Sequence, residues 1–180
     1  MGTELACNWL HDNNAITSPS GLNFAPGIYL DGGTGYKIHH NVAWNNPGGP
    51  GIYAGPSQNF SVSDDVFNNT MWNNRDAMRD LASNFGIFRV YNNLSDKGFA
   101  GTDLRTNLLT SNPQFVNSLA GDFQLQSASP AINFATVIPG ITDGYVGDAP
   151  DAGAYEFGLT GWAAGANAAP LPPPPPQRCG

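Results

Sequence analysis

Tyr36-Lys37-Ile38-His39-His40-Asn41-Val42 is written again as Phe60-Ser61-Val62-Ser63-Asp64-Asp65-Val66 and as Phe88-Arg89-Val90-Tyr91-Asn92-Asn93-Leu94. A fourth copy, Thr3-Glu4-Leu5-Ala6-Cys7-Asn8-Trp9, fits except that Thr3 stands at the aromatic position. The shared rule is aromatic, polar, aliphatic, any, any, Asn or Asp, apolar. The Asn or Asp falls at Asn8, Asn41, Asp65 and Asn93, at intervals of 33, 24 and 28 residues. A constant local pattern at unequal spacing in this range marks a solenoid whose turns carry loops of different length.

Side chains alternate across an extended strand, so Tyr36, Ile38, Phe60, Val62, Phe88 and Val90 face one side and build a core stack. Lys37, His39, Ser61, Ser63, Arg89 and Tyr91 face the other. Rungs of such a stack lie about 4.8 Å apart, so like residues sit over like and the Asn column predicts a ladder of side-chain amides at a bend. Asp65 interrupts that ladder, because a carboxylate accepts hydrogen bonds and cannot donate them. Gly27-Ile28-Tyr29-Leu30-Asp31 and Gly51-Ile52-Tyr53-Ala54-Gly55 repeat at the same 24-residue offset, so each turn carries at least two strands.

Composition agrees with an all-β domain. The 180 residues include 22 Gly, 15 Pro and twenty Asn, with 41% hydrophobic and 12% charged residues, which suits short strands joined by many turns. Seven Lys and Arg against fourteen Asp and Glu give a formal net charge of −7, which disfavours nucleic acid and anionic lipid as partners. No apolar run is long enough to span a bilayer. Met1 leads directly into Gly2, Thr3 and Glu4 without the basic and apolar regions of a secretory signal. Cys7 and Cys179 lie near opposite ends; no framework of spacings supports a bridge, and the expectation is two free thiols.

Arg75 to Ser83 has helical composition and reads as a loop insertion. From Asn112 onward short apolar segments alternate with Pro and Gly turns, a texture expected of a cap closing the end of the solenoid. The expected domain runs from residue 3 to 158, with the cap from about residue 112. Residues 159–180, rich in Ala and Gly and carrying Pro172 to Pro176, form a disordered tail with no core to bury.

Asn8-Trp9-Leu10-His11-Asp12-Asn13, Gly27-Ile28-Tyr29-Leu30-Asp31-Gly32-Gly33 and Ile38-His39-His40-Asn41-Val42-Ala43-Trp44-Asn45 resemble the right-handed parallel β-helix proteins of the pectate-lyase-like superfamily. Asn112-Pro113-Gln114-Phe115-Val116, Ser129-Pro130-Ala131-Ile132 and Ala149-Pro150-Asp151-Ala152-Gly153-Ala154-Tyr155-Glu156 look like the terminal cap of the same bacterial proteins. The resemblance covers about residues 4 to 157 and implies a right-handed parallel β-helix and a secreted or cell-surface location. It also implies a C-terminal portion of a longer protein, or a short relative. An uncovered first coil would expose strand edges and invite homo-oligomers. The superfamily holds polysaccharide lyases, glycoside hydrolases, epimerases and phage tailspikes on one scaffold, so the chemistry must come from the residues.

A flat outer face of stacked strands suits an extended glycan. One outward column is expected to hold Glu4, Lys37, Ser61 and Arg89, and its neighbour Ala6, His39, Ser63 and Tyr91. For β-elimination on a uronate, a base removes the proton beside the carboxylate while a cation neutralises it, roles open to Lys37, His39 and Arg89. Asp31 and Asp64 are candidate calcium ligands. For hydrolysis two carboxyls must flank the bond, and Asp31, Asp64 and Asp65 are the candidates. In the repeat alignment Asp64 stands level with His40, so an Asp–His contact is expected there. The plainer reading of Glu4 and Lys37 is a surface ion pair, and adjacent residues such as Asp64-Asp65 more often cap a turn. His11, His39 and His40 are weaker transition-metal candidates, being consecutive or remote. Tyr29 and Tyr53, both expected outward, could stack on sugar rings or simply on each other.

Two functions from different classes follow. The first is a carbohydrate-active enzyme cleaving glycosidic bonds by hydrolysis or β-elimination through Asp31, His39, His40 and Asp64, with Tyr29, Tyr53, Lys37, Arg89 and Tyr91 holding a polysaccharide. The second is a non-catalytic glycan-binding or cell-surface structural module. The acidic chain favours a neutral glycan unless calcium bridges a polyuronate.

Overall fold

The computed structural model describes residues 2–13, 25–31, 33–54, 63–80 and 87–159. These residues are all-β. The strands are β1 (Glu4–Ala6), β2 (Trp9–His11), β3 (Ile28–Leu30), β4 (Lys37–His39), β5 (Val42–Trp44), β6 (Pro50–Ala54), β7 (Ser63–Phe67), β8 (Thr70–Trp72), β9 (Asp76–Asp80), β10 (Ile87–Tyr91), β11 (Leu94–Ser95), β12 (Asp103–Arg105), β13 (Leu108–Leu109), β14 (Phe115–Asn117) and β15 (Asp122–Leu125). The first sheet has the order β1-β4-β7-β10-β12, the second β2-β5-β8-β11-β13 and the third β3-β6-β9. All pairings within these three sheets are parallel. Through β9 the chain visits first, second and third sheet in turn and returns to the first one strand further along; after β11 it passes directly to β12 of the first sheet. No helix among the described residues is long and apolar enough to cross a membrane.

The bend between first and second sheets is built the same way five times. Cys7, His40, Asn68, Asn92 and Thr106 adopt positive φ of 57°, 52°, 48°, 62° and 47°, and each is followed by an Asn. The amide Nδ2 of each of these Asn residues donates to Oδ1 of the next, Asn8 to Asn41, Asn41 to Asn69, Asn69 to Asn93 and Asn93 to Asn107, at 2.9 Å throughout. The same Oδ1 atoms accept the backbone N–H of the preceding rung. The remaining amide protons bind carbonyls inside the stack, as Asn69 does to Ile38 and Phe67. The ladder is therefore polar, with donors always pointing towards the later rung.

This ladder corrects the repeat alignment. Lys37 pairs with Asp65, Ile38 with Val66 and His39 with Phe67, so the third copy is Asp64-Asp65-Val66-Phe67-Asn68-Asn69-Thr70, four residues beyond the expected one. Asn69, not Asp65, is the rung; the intervals are 33, 28, 24 and 14 residues, and no carboxylate interrupts the column. Phe60, Ser61 and Val62 lie outside the described residues. A second ladder joins Asn13, Asn46 and Asn74 at the next bend, again after positive-φ residues, Asp12, Asn45 and Asn73.

Inward columns fill the space between the sheets. Ile38, Val66 and Val90 of the first sheet, Met71 of the second and Ile52 of the third are wholly buried in one cluster, and each such side chain removed from water contributes about 1.5–3 kcal/mol. Within the expected loop insertion, Asp76 to Asp80 form a strand instead: β9 pairs with β6, Ile52 facing Met78, and Ala77 and Met78 join the core. Tertiary pairing overrides a weak local helical propensity here. Leu81, Ala82 and Ser83 lie outside the described residues.

The segment from Asn112 packs along a flank. β14 and β15 form an antiparallel pair whose Phe115, Phe123 and Leu125 lie with Val42, Leu94, Trp44 and Trp72 on the outer face of the second sheet. Phe123 meets Trp44 edge to face at 5.5 Å, and Phe115 meets Trp72 at 5.2 Å. Gly153 approaches the stack so closely that a Cβ would stand 2.8 Å from Thr70 Oγ1 and 2.9 Å from Leu94 Cβ. Cys7, expected as a free thiol, is disulfide-bonded.

Asn69→Ala strips partners from several fully buried groups and should cost about 3 kcal/mol or more in denaturant unfolding. Asn8→Ala, at the exposed start of the ladder, should cost under about 1 kcal/mol. Equal losses at both positions would contradict a cooperative interior ladder.

Candidate functional site

With the register established, the outward face of the first sheet carries two columns. One runs Glu4, Lys37, Asp65, Arg89, Asp103, alternating in sign at every rung; the other runs Ala6, His39, Phe67, Tyr91, Arg105. Arg89 grips Asp65 through Nε at 2.6 Å and its terminal nitrogen at 2.7 Å. Arg105 holds Asp103 the same way at 2.9 and 3.0 Å, and the Tyr91 hydroxyl also donates to Asp103. The Phe67 and Tyr91 rings stack with centroids 5.3 Å apart, and the Arg105 guanidinium lies over Tyr91 at 5.2 Å.

A wall stands beside this floor. Asn92, at the fourth bend, donates from Nδ2 to Thr136 O and accepts from Thr136 N–H, anchoring the chain that continues through Val137, Ile138, Pro139 and Ile141. Between wall and floor lies a groove of about 420 Å³ that includes Lys37, Asp65, Phe67, Arg89, Tyr91 and Arg105. The Lys37 ammonium makes no hydrogen bond or ion pair among the described residues, whereas Arg89 and Arg105 are each neutralised by a carboxylate. The groove thus offers a flat aromatic floor, an apolar side and one unengaged ammonium.

Electrostatics follow the pairing. The Asp65 bond holds the Arg89 guanidinium charged to higher pH than usual. Bonds from Arg105 and Tyr91 hold the Asp103 carboxyl below its ordinary 3.8. Burial first, and the bond to Asp103 second, push the Tyr91 phenol upward.

Three of the sequence-predicted contact residues, Lys37, Arg89 and Tyr91, meet in this groove. The four proposed catalytic residues are differently placed. His39 is buried, its Nε2 2.6 Å from Glu4 Oε1 and its Nδ1 3.0 Å from Nδ1 of buried His40, which sits at the bend. Glu4 therefore engages His39 rather than forming the expected pair with Lys37. Asp64 is buried and its Oδ1 accepts the Tyr36 N–H, so it stands level with Tyr36 rather than His40. Asp31 is exposed beyond β3 in the third sheet. Tyr29 and Tyr53 also lie in that sheet, on one face at adjacent rungs with rings 5.2 Å apart; Tyr29 is half exposed, whereas Tyr53 is buried there. Partial burial, with Asp31 and Tyr53 nearby, raises the Tyr29 phenol. His11 lies against Trp44 at 5.1 Å and pairs with Asp12, apart from the other histidines. Among the described residues no three His, Cys, Asp or Glu side chains gather in a group able to hold a metal ion.

Phe67, Asp103, Arg105 and the 136–141 wall were not anticipated. The phrases Val42-Ala43-Trp44-Asn45-Asn46 and Thr70-Met71-Trp72-Asn73-Asn74 carry the signal that would have placed Asp65 beside Lys37.

No family model, curated protein or solved structure matches the chain.

The lowered Asp103 carboxyl sets an acid limb. Its bonds stabilise the fold in full above pH 3.8 and are lost as the pH falls through the lower folded value. Thermal melting followed against pH should therefore drop more steeply in that window for the wild type than for Asp103→Asn; coincident acid limbs would rule out this contribution.

Proposed function

We propose that the three parallel sheets form a right-handed parallel β-helix of the pectate-lyase-like kind, and that the groove over the first sheet binds an extended segment of polysaccharide. The observation that carries this reading is the meeting of Lys37, Arg89 and Tyr91 over a stacked aromatic floor, beneath the wall of residues 136–141. Aromatic faces pack against the apolar faces of sugar rings, while a free ammonium hydrogen-bonds hydroxyls or pairs with a carboxylate. The strand repeat of about 4.8 Å presents these groups as a row along which a polymer can lie. A disulfide at Cys7 supports a secreted or cell-surface location, because such bonds persist in oxidising compartments.

Binding without cleavage has the stronger support. Asp64 is held on the Tyr36 backbone and His39 between Glu4 and His40, so their donors and acceptors are engaged within the fold. Cleavage by β-elimination is the second reading, favoured by the unengaged Lys37 ammonium one rung from Asp65 and two from Arg89. In that reaction a base takes the proton beside a uronate carboxylate, the glycosidic C–O bond breaks and a C=C bond forms, with a cation holding the carboxylate. Asp31, beyond β3 in the third sheet, and Asp64, buried on the Tyr36 N–H, stand outside the groove, so this second reading takes no calcium from them.

Incubation with a panel of neutral and acidic polysaccharides, with and without EDTA, separates these outcomes through reducing ends, ultraviolet absorbance of unsaturated products and calorimetric binding. Lys37→Ala should weaken binding about tenfold, about 1.4 kcal/mol, with unchanged melting, since the side chain holds nothing in the fold. Tyr91→Ala should weaken it further, and Tyr29→Ala, on the third sheet, should not. Failure of every glycan to bind would sink the proposal.

A further inference from the structure

At the end of the stack, β12 and β13 are edge strands of the first and second sheets; at its start, β1 and β2 are the opposite edges. The inward columns end in Leu104 and Leu109, which are 48% and 57% exposed, although their counterparts Val90 and Ser95 one rung earlier are wholly buried. Beside them lies a hollow of about 280 Å³ lined in part by Phe99, Leu104 and Leu109. At the start, the same columns begin with Leu5 and Leu10, which are partly buried.

The ladder distinguishes the two ends chemically. Asn8 donates to Asn41 and to Ala6 O, but its Oδ1 accepts nothing among the described residues. Asn107 accepts from Asn93 and gives one amide proton to Val90 O, leaving its backbone N–H and its other amide proton with no further rung among the described residues. One end presents an acceptor and the other presents donors. The backbone follows the same polarity: His40 N–H donates to Asn68 O and Asn92 N–H to Arg105 O, while Leu108 N–H returns to Asn93 O.

We infer that a second copy of this chain docks head to tail on the first, its β1 and β2 adding in parallel to β12 and β13. Continuing the register places Asn8 of the incoming copy on Asn107, Leu5 on Leu104 and Leu10 on Leu109. The Asn107 N–H and Nδ2 then reach Asn8 Oδ1, the Thr106 N–H reaches Ala6 O, and the Trp9 N–H reaches Asn107 O, bonds of the kind the interior rungs already make. The two copies contribute different surfaces, so the contact is heterologous and each dimer keeps one free end of either kind. One element opposes it: Glu4 arrives over Asp103, two carboxylates at adjacent rungs, with Arg105 diagonal to Glu4. Association is therefore strengthened by salt, which screens that repulsion. The contact rests on the strand register alone and does not depend on the glycan reading.

Sedimentation velocity of the full chain over a range of concentration and salt tests this. The wild type should show a larger species that grows with both. Leu104→Lys should remove it without lowering the melting temperature, because Leu104 is already half exposed; Glu4→Gln should enlarge it. The deciding arm mixes tagged Leu104→Lys with wild type. That variant retains an intact start, so it should be captured by wild type although it does not associate with itself. A wild type that is monomeric throughout overturns the inference. So does a Leu104→Lys chain of unchanged size, and so does wild-type self-association that excludes the variant, which would mean that like ends meet.

Discussion

A buried asparagine amide at each bend satisfies what a turning parallel strand leaves unpaired. Where the chain leaves the first sheet for the second, a positive-φ residue interrupts the strand ladder, and backbone groups there would otherwise face the interior without partners. Asn69 answers this with both protons and its oxygen: two carbonyls within the stack, one neighbouring amide below, and two donors above. No shorter or charged side chain meets that demand, since Ser has one proton and Asp has none. Repetition of the demand fixes where every outward column stands, and with it the groove.

Much of this was legible in the chain. Alternation in Tyr36-Lys37-Ile38-His39 separates inward from outward residues, and the 24-residue offset of Tyr29 and Tyr53 proved to be a true strand pairing. The error at the third rung has a clear origin. Phe60-Ser61-Val62-Ser63-Asp64-Asp65-Val66 satisfies the apolar alternation as well as the true segment does, because a four-residue slip preserves a period of two. Within the repeat itself the amide discriminates, since Asp65 cannot donate and Asn69 can. The loop-insertion reading failed over Asp76 to Asp80 for a related reason. Local composition was weighed without the neighbour, Ile52 and Tyr53 of β6, that recruits Met78 and Arg79 into a strand.

The candidate site was half visible. Lys37, Arg89 and Tyr91 share a face by alternation alone, but the alternating charge column emerges only once Asp65 replaces Ser61 in it. The wall could not be read from periodicity, because residues 136–141 belong to no repeat and are tied to the bend of the first sheet through Asn92. Candidate catalytic residues fared differently because a titratable side chain in a repeat protein serves the stack as readily as chemistry, as Asp64 does for the Tyr36 backbone.

Asn92 belongs to both halves of the molecule: it takes positive φ at the fourth bend, receives the Thr106 hydroxyl on its Oδ1 at 2.6 Å, and clamps Thr136 from the other side. The aperture over Phe67 and Tyr91 is consequently set by the same peptide that turns the chain. Swinging the wall away at Thr136 would break both of its bonds to Asn92, so the width of the slot is tied to the turn of the chain itself.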